Sequence, residues 1–187
     1  MGTQRLFVAV DPPQYAVDHL AAVVSTLHVA HARARLSATE RWHLTVAFLG
    51  EIADDRVDAA REAVAAAASG PSAHAHELWI AGGGKFGGGA GSILWAGIGG
   101  EVDRLRQLAR AVGRSLRAAR FKLERRPYRP HLTIARPGTR LLRTHLSEDI
   151  ATLATYHGPP WPVTELHLIR SHPGPTPHFV RVASFPL

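Results

Sequence analysis

Hydrophobic and polar positions along this chain fall into two periods. Alternating apolar and polar residues predict strands over 5–10, 43–49, 76–81, 92–98, 131–136, 163–170 and 178–185. Helical spacing covers 14–29, 101–119 and about 142–154, and a further helix runs from an Asp54-Asp55 N-cap to Ala68. Asp11-Pro12-Pro13 closes the first strand, and Ser69-Gly70-Pro71 stops the helix that ends at Ala68. The stretch Gly82–Gly91, with seven glycines in ten residues, reads as a flexible connector. It is not a phosphate-cradling P-loop, because no Ser or Thr follows Lys85 and no helix opens there. The intervening lengths do not demand parallel crossovers. The pattern therefore predicts an α+β fold with antiparallel sheets and helices packed outside.

The pattern also repeats. His43-Leu44-Thr45-Val46-Ala47-Phe48 returns as His131-Leu132-Thr133-Ile134-Ala135-Arg136, 88 residues later. At the same offset Arg5-Leu6-Phe7-Val8-Ala9-Val10 matches Ile93-Leu94-Trp95-Ala96-Gly97-Ile98, and Glu77-Leu78 matches Glu165-Leu166. A fixed-period repeat implies similar structural units. Two copies are too few for a solenoid, so the expected form is one bilobal domain over 1–187 with a pseudo-twofold axis, its repeats covering approximately 1–88 and 89–187.

In a strand, side chains alternate between faces. His43 therefore shares a face with Thr45, and His131 shares one with Thr133, while Leu44, Val46, Leu132 and Ile134 anchor the opposite face. A histidine with an ordinary pKa of about 6.5 serves as acid or base near neutrality. Threonine hydroxyls can donate to a phosphoryl oxygen. Two such pairs facing each other would grip an anionic centre and pass protons across it, which suits in-line displacement at phosphorus without a metal. Which histidine is the acid cannot be read from the residues alone.

Composition narrows this picture. The net charge of +7 favours an anionic ligand, although 20 of the 22 basic residues are arginine, so an arginine-rich proteome explains the bias equally well. There is no cysteine, which excludes disulfides, thiolate metal sites and a cysteine nucleophile. No apolar run reaches the roughly 18 residues of a membrane span. No secretory core precedes the first strand. A cytoplasmic protein without membrane association is the expectation.

The twin motifs and their flanks resemble a known family. H-x-T-x followed by Phe48-Leu49-Gly50, and a second copy set in Arg126-Pro127-Tyr128-Arg129-Pro130-His131, resemble the 2H phosphoesterases. Arg5–Val10, Ile93–Gly97 and the closing Ser184-Phe185-Pro186-Leu187 extend the likeness toward the RNA 2′,3′-cyclic phosphodiesterases, historically called 2′–5′ RNA ligases. The resemblance implies two sheets lining a cleft, one gathering both termini and the other the middle of the chain. It implies metal-independent, cofactor-free hydrolysis of RNA or nucleoside 2′,3′-cyclic phosphates to 2′-phosphates, by a monomer. His43 would be the acid to the leaving 3′ oxygen and His131 the base to water. Thr45 and Thr133 would hold the phosphate, Phe48 would stack on the base, and Arg136 would contact the phosphate. Reversible 2′–5′ ligation by the same residues is the enzymatic alternative, and an RNA-end-binding protein without turnover is the alternative from another class.

Phe48 and Arg136 pose a geometric problem. Each stands five residues after its histidine, and an odd offset in a regular strand points away from it. Both must reach the cleft from a strand end or past a bulge. Arg129 shares parity with His131 and is a candidate substrate contact. Arg125 and Arg126 are candidates for RNA phosphates or for a solvated surface pair. His74 and His76 are spaced for a metal but lack a third ligand nearby, so an edge or loop position is expected. His28 and His31 are read as helix-terminal and exposed, and Trp42 as a core residue by parity.

Overall fold

Two antiparallel sheets divide the strands of this protein, in a computed structural model that describes residues 2–32, 34–124, 127–139, 141–174 and 177–187. In chain order the elements are β1 (Thr3–Val10), α1 (Gln14–Val24), α2 (His28–His31), β2 (Arg35–Leu36), β3 (Leu44–Ala53), α3 (Val57–Ala68) and β4 (His76–Phe86). There follow β5 (Ile93–Gly100), α4 (Val102–Ala118), β6 (Leu132–Arg136), α5 (Arg143–Ala154), β7 (Trp161–Val163), β8 (Glu165–His172) and β9 (His178–Pro186). One sheet has the order β3-β1-β8-β9 and holds both ends of the chain; the other has the order β2-β6-β5-β4-β7 and is built from the middle.

The repeat is written into this order. Under the 88-residue offset β1 corresponds to β5, β3 to β6 and β4 to β8. The three-strand block β3-β1-β8 in one sheet therefore matches β6-β5-β4 in the other. The third strand of each block comes from the opposite half of the sequence, so the halves exchange a strand and neither sheet can form from one half alone.

Helices close the outer faces. α3 packs on α4 and against β8 and β9, and α5 lies on β4 with α2 beside it. In α4 the buried residues Leu105, Leu108, Ala109, Val112 and Leu116 recur at three- and four-residue spacing, which gives one apolar stripe. β1 is buried on both sides. Leu6, Val8 and Val10 enter the main core, whereas Phe7 and Ala9 join Ile169 and Phe179 in a small separate cluster on the other face.

Three local expectations need correction. The helix expected over 14–29 breaks after Val24: the Ser25 and Thr26 hydroxyls bond back to the Ala22 and Val23 carbonyls, Leu27 enters the core, and α2 starts afresh. Asp54 opens a single 3-10 turn ahead of α3 without capping it, and its carboxylate instead accepts a hydrogen bond from the Gln4 amide at 2.9 Å. The glycine-rich stretch is not a connector up to Phe86, because β4 runs through it and pairs with β5. Gly83 and Gly84 answer to packing. A Cβ on Gly84 would lie 2.6 Å from the Trp95 indole, and one on Gly83 would lie 3.0 Å from the Trp95 carbonyl oxygen. Only the bare backbone lets β4 lie so close to β5.

Candidate active site

Both histidine motifs depart from regular pairing at the same place. In the β1–β3 ladder Ala9 pairs with Thr45 and Val8 with Ala47, so Val46 is left over as a bulge. In the β5–β6 ladder Trp95 pairs with Thr133 and Leu94 with Ala135, which leaves Ile134 over. Val46 and Ile134 are equivalent residues of the repeat. A bulge inserts one residue and reverses the alternation beyond it. Phe48 consequently stands opposite Phe7, on the face of His43 and Thr45, and is 40% exposed where unbroken alternation would bury it. Arg136 likewise returns to the face of His131 and Thr133 and is exposed, while Ala135 beside it is buried against Leu94. The paired bulges remove the parity conflict for both residues.

The two imidazoles are held in one way. His43 Nδ1–H donates to the Arg41 carbonyl oxygen at 2.8 Å, and His131 Nδ1–H donates to the Arg129 carbonyl oxygen at 2.7 Å. Each acceptor lies two residues before its histidine, again at equivalent repeat positions. This fixes the tautomer: Nε2 of each ring is an acceptor when neutral and a donor when protonated. His43 Nε2 and the Thr45 hydroxyl are 3.0 Å apart. Burial pushes the pKa of His43 below its ordinary value; the Arg41 carbonyl and then Asp11 oppose the shift, and a charge on His131 adds to it.

Aromatic walls hold the rings. His43 stacks on Phe7 at 4.7 Å and meets Phe179 edge-on at 5.2 Å. His131 meets Phe86 edge-on at 4.8 Å, and Trp95 lies 6.4 Å away. These four ring contacts are ones that the motif reading missed. For two of them the signal was present, since Phe7 and Trp95 occupy one repeat position in strands that pair with the motif strands. Phe86 and Phe179 have no such equivalence. Arg5 is a further addition: its guanidinium lies 5.1 Å from the centre of the Phe48 ring. A cavity of about 310 Å³ opens beside His43, lined in part by Asp11, Trp42, Phe179 and Arg181, with Arg181 bonded to Asp11 at 2.8 Å.

Comparison with known proteins gives the family and the fold. The family model described as the 2′-5′ RNA ligase superfamily matches residues 9–175. The chain belongs to the 2′-5′ RNA ligase superfamily. It is 33% identical over 151 residues to an RNA 2′,3′-cyclic phosphodiesterase of Geobacillus stearothermophilus, an alignment that covers 79% of this chain. The chain spans about half of that relative, 46% of its length. Among solved structures, E. coli LigT complexed with ATP superposes with a TM-score of 0.75 at 21% identity, over 100% of this chain and 99% of LigT. TT0787 of Thermus thermophilus gives 0.77 at 22% identity, over 98% and 97% of the two chains. Both share the fold, with its two antiparallel sheets.

The other candidates read from the sequence lie at scattered positions in this superfamily member. Arg129 offers its carbonyl to His131, and its side chain is exposed. Arg125 and Arg126 lie outside the described residues. Trp42 is buried in the core, as parity requires. His76 is buried at the start of β4 and donates through Nδ1 to the His74 carbonyl. His31 is exposed at the end of α2. His28 is exposed at the start of α2 and pairs with Glu148 on α5. Among the described residues no helix is long and apolar enough to cross a membrane.

Proposed function

We propose that this protein hydrolyses 2′,3′-cyclic phosphate ends of RNA, or nucleoside 2′,3′-cyclic phosphates, to 2′-phosphomonoesters without a metal ion. The observation that carries the reading is the matched presentation of two imidazoles, each with Nδ1 bonded to a carbonyl two residues upstream and Nε2 left to work. His131 Nε2 takes a proton from water as the water oxygen bonds to phosphorus. His43 Nε2–H gives its proton to the 3′ oxygen as the bond from phosphorus to that oxygen breaks. Thr45 and Thr133 donate to the phosphoryl oxygens, Arg136 offsets their charge, and Phe48 supports the base. The Geobacillus relative's name and the LigT complex with 3′-AMP are consistent with a nucleotide substrate.

Incubation with a panel of 2′,3′-cyclic nucleotides in excess EDTA, followed by phosphorus NMR, tests this directly. Turnover to the 2′-monoester is expected at the rate seen without chelator. The one group of three or more metal-capable side chains that converges among the described residues is His28, His145 and Glu148, and it includes neither motif histidine. Activity that vanishes in EDTA and returns with a divalent metal would overturn the metal-free mechanism.

The lowered pKa of His43 has a consequence for pH dependence. Burial favours its neutral form in the free protein, which alone suits a base. Its assignment as acid requires that the bound phosphate, an anion, raise the pKa again. In kcat/KM, which reports the free protein, one of the two apparent pKa values should fall on the acid side of about 6.5. In kcat it should move to higher pH. Both are macroscopic values of a coupled pair. A flat profile between about pH 5 and 8, the interval in which histidine changes charge, counts against paired acid–base catalysis. An unmoved limb counts against His43 as the acid.

A further inference from the structure

Away from the catalytic face, α2 and α5 meet at a joint whose chemistry the phosphodiester reaction does not use. His145, Glu148 and Asp149 lie on one side of α5, at i, i+3 and i+4. Asp149 is buried, and its two carboxylate oxygens accept from the backbone N–H groups of His28 and Val29 at 2.7 and 2.9 Å. These paired hydrogen bonds fix the start of α2 against α5. They place the His28 ring parallel to His145, 4.2 Å between centroids and 9° between planes, with His28 Nε2 2.7 Å from Glu148 Oε2. One ligand atom from each of His28, His145 and Glu148 lies within 4.8 Å of the other two.

We propose that His28, His145 and Glu148 form a divalent transition-metal site, of the class that takes Zn²⁺, Co²⁺ or Ni²⁺. Two imidazoles and a carboxylate are a donor set suited to these borderline ions and not to Mg²⁺ or Ca²⁺, which prefer oxygen. Tetrahedral ligands at about 2.0–2.1 Å from zinc stand roughly 3.3 Å apart. His28 and Glu148 are already closer than that. For their in-plane lone pairs to converge on one ion, the two imidazoles must turn out of their parallel stack, and the 46% and 60% exposure of the His28 and Glu148 side chains leaves room for that rotation. Water would complete the fourth position. The rigid part of the site is its backbone, held by Asp149, so the ion has only side chains to order.

The site would act as a staple. α2 leads into β2, and β2 pairs with β6, the strand that follows directly on His131. An ion joining α2 to α5 would hold this segment in place without touching the reacting atoms. Because binding to the folded state alone raises stability by mass action, the thermal midpoint should rise with zinc. None of these residues takes part in the phosphodiesterase reading, so the metal site stands or falls independently of it.

The test uses the untagged full chain, stripped with chelator and then dialysed. Calorimetric titration with Zn²⁺ is expected to give one ion per chain, and Co²⁺ should give the visible bands of a four-coordinate site. His145→Ala and Glu148→Gln should each weaken binding by tenfold or more. A loss of at least about 10-fold is usual even for removal of an outer partner of a ligand. At the same zinc concentration both variants should show a smaller zinc-dependent rise in Tm. If His145→Ala does not fold, as judged by circular dichroism, the surface change Glu148→Gln still decides. The site is ruled out if no saturable one-to-one binding appears. It is equally ruled out if both variants bind zinc as tightly as the parent protein, or if binding is lost in His43→Ala and retained in His145→Ala.

Discussion

Replacing either His43 or His131 by alanine is expected to lower kcat by about 10²- to 10⁴-fold, the contribution of one positioned proton-transfer group. The two losses should not multiply. In the proposed mechanism each histidine serves the same in-line displacement, so the double variant should fall by less than the product of the single effects. The surroundings differ enough to separate chemistry from folding. His43 is the more enclosed ring, stacked on Phe7 and edge-on to Phe179, so its removal leaves a gap against two aromatic side chains and should lower Tm. His131 is more open to solvent, and its truncation should cost activity with a smaller cost in stability. Stopped assays for kcat, with thermal melts on the same samples, check both statements. A single variant that keeps near wild-type kcat would falsify the two-histidine mechanism.

The sequence was most legible where the repeat and the alternation agreed. The strands expected over 5–10, 131–136 and 178–185 lie within or coincide with β1, β6 and β9 to within a residue, and the helix expected over 101–119 contains α4. The shared face of each histidine with its threonine needed only the two-residue period. Legibility ended where one residue changed the phase. No feature of Leu-Thr-Val-Ala or Leu-Thr-Ile-Ala announces a bulge, because a bulged Val46 or Ile134 is apolar and buried like a regular strand residue. The bulge shows only in the ladder, through the skipped partner. The expectation for Gly83 and Gly84 failed for a different reason. Local flexibility and tight packing against Trp95 call for the same residue, and the choice between them is made only when β5 arrives alongside. The α2–α5 joint was illegible because its parts, His28 and His145, are separated by 117 residues with no shared motif.

Phe48 and Arg136 offer the other large effect, and the bulges make it a specific one. The two residues occupy one position of the repeat, and equivalent bulges turn both onto the histidine face. If Arg136 holds the phosphoryl oxygens, its charge matters most as negative charge builds in the transition state. Arg136→Ala should then lower kcat by about 10- to 1000-fold, a bracket around the loss of one oxyanion donor. Lysine should restore only part of it, because it lacks the two-pronged geometry of the guanidinium. Phe48→Ala should act on binding instead, by about 1–3 kcal/mol for a lost stacking surface. Its effect on KM should shrink for a minimal substrate that has no base. Arg5 bears on the size of this effect, since its guanidinium already lies over the Phe48 ring and must share or yield the surface to a base. Arg5→Ala therefore provides the control: a lower KM for base-bearing substrates means competition for the ring, and a higher one means that Arg5 orients it. Steady-state kinetics of the variants on substrates with and without a base decide the assignment. If Phe48→Ala and Arg136→Ala change only KM, and by similar factors, the division between base platform and anion clamp is wrong, while the paired histidines stand or fall by their own test.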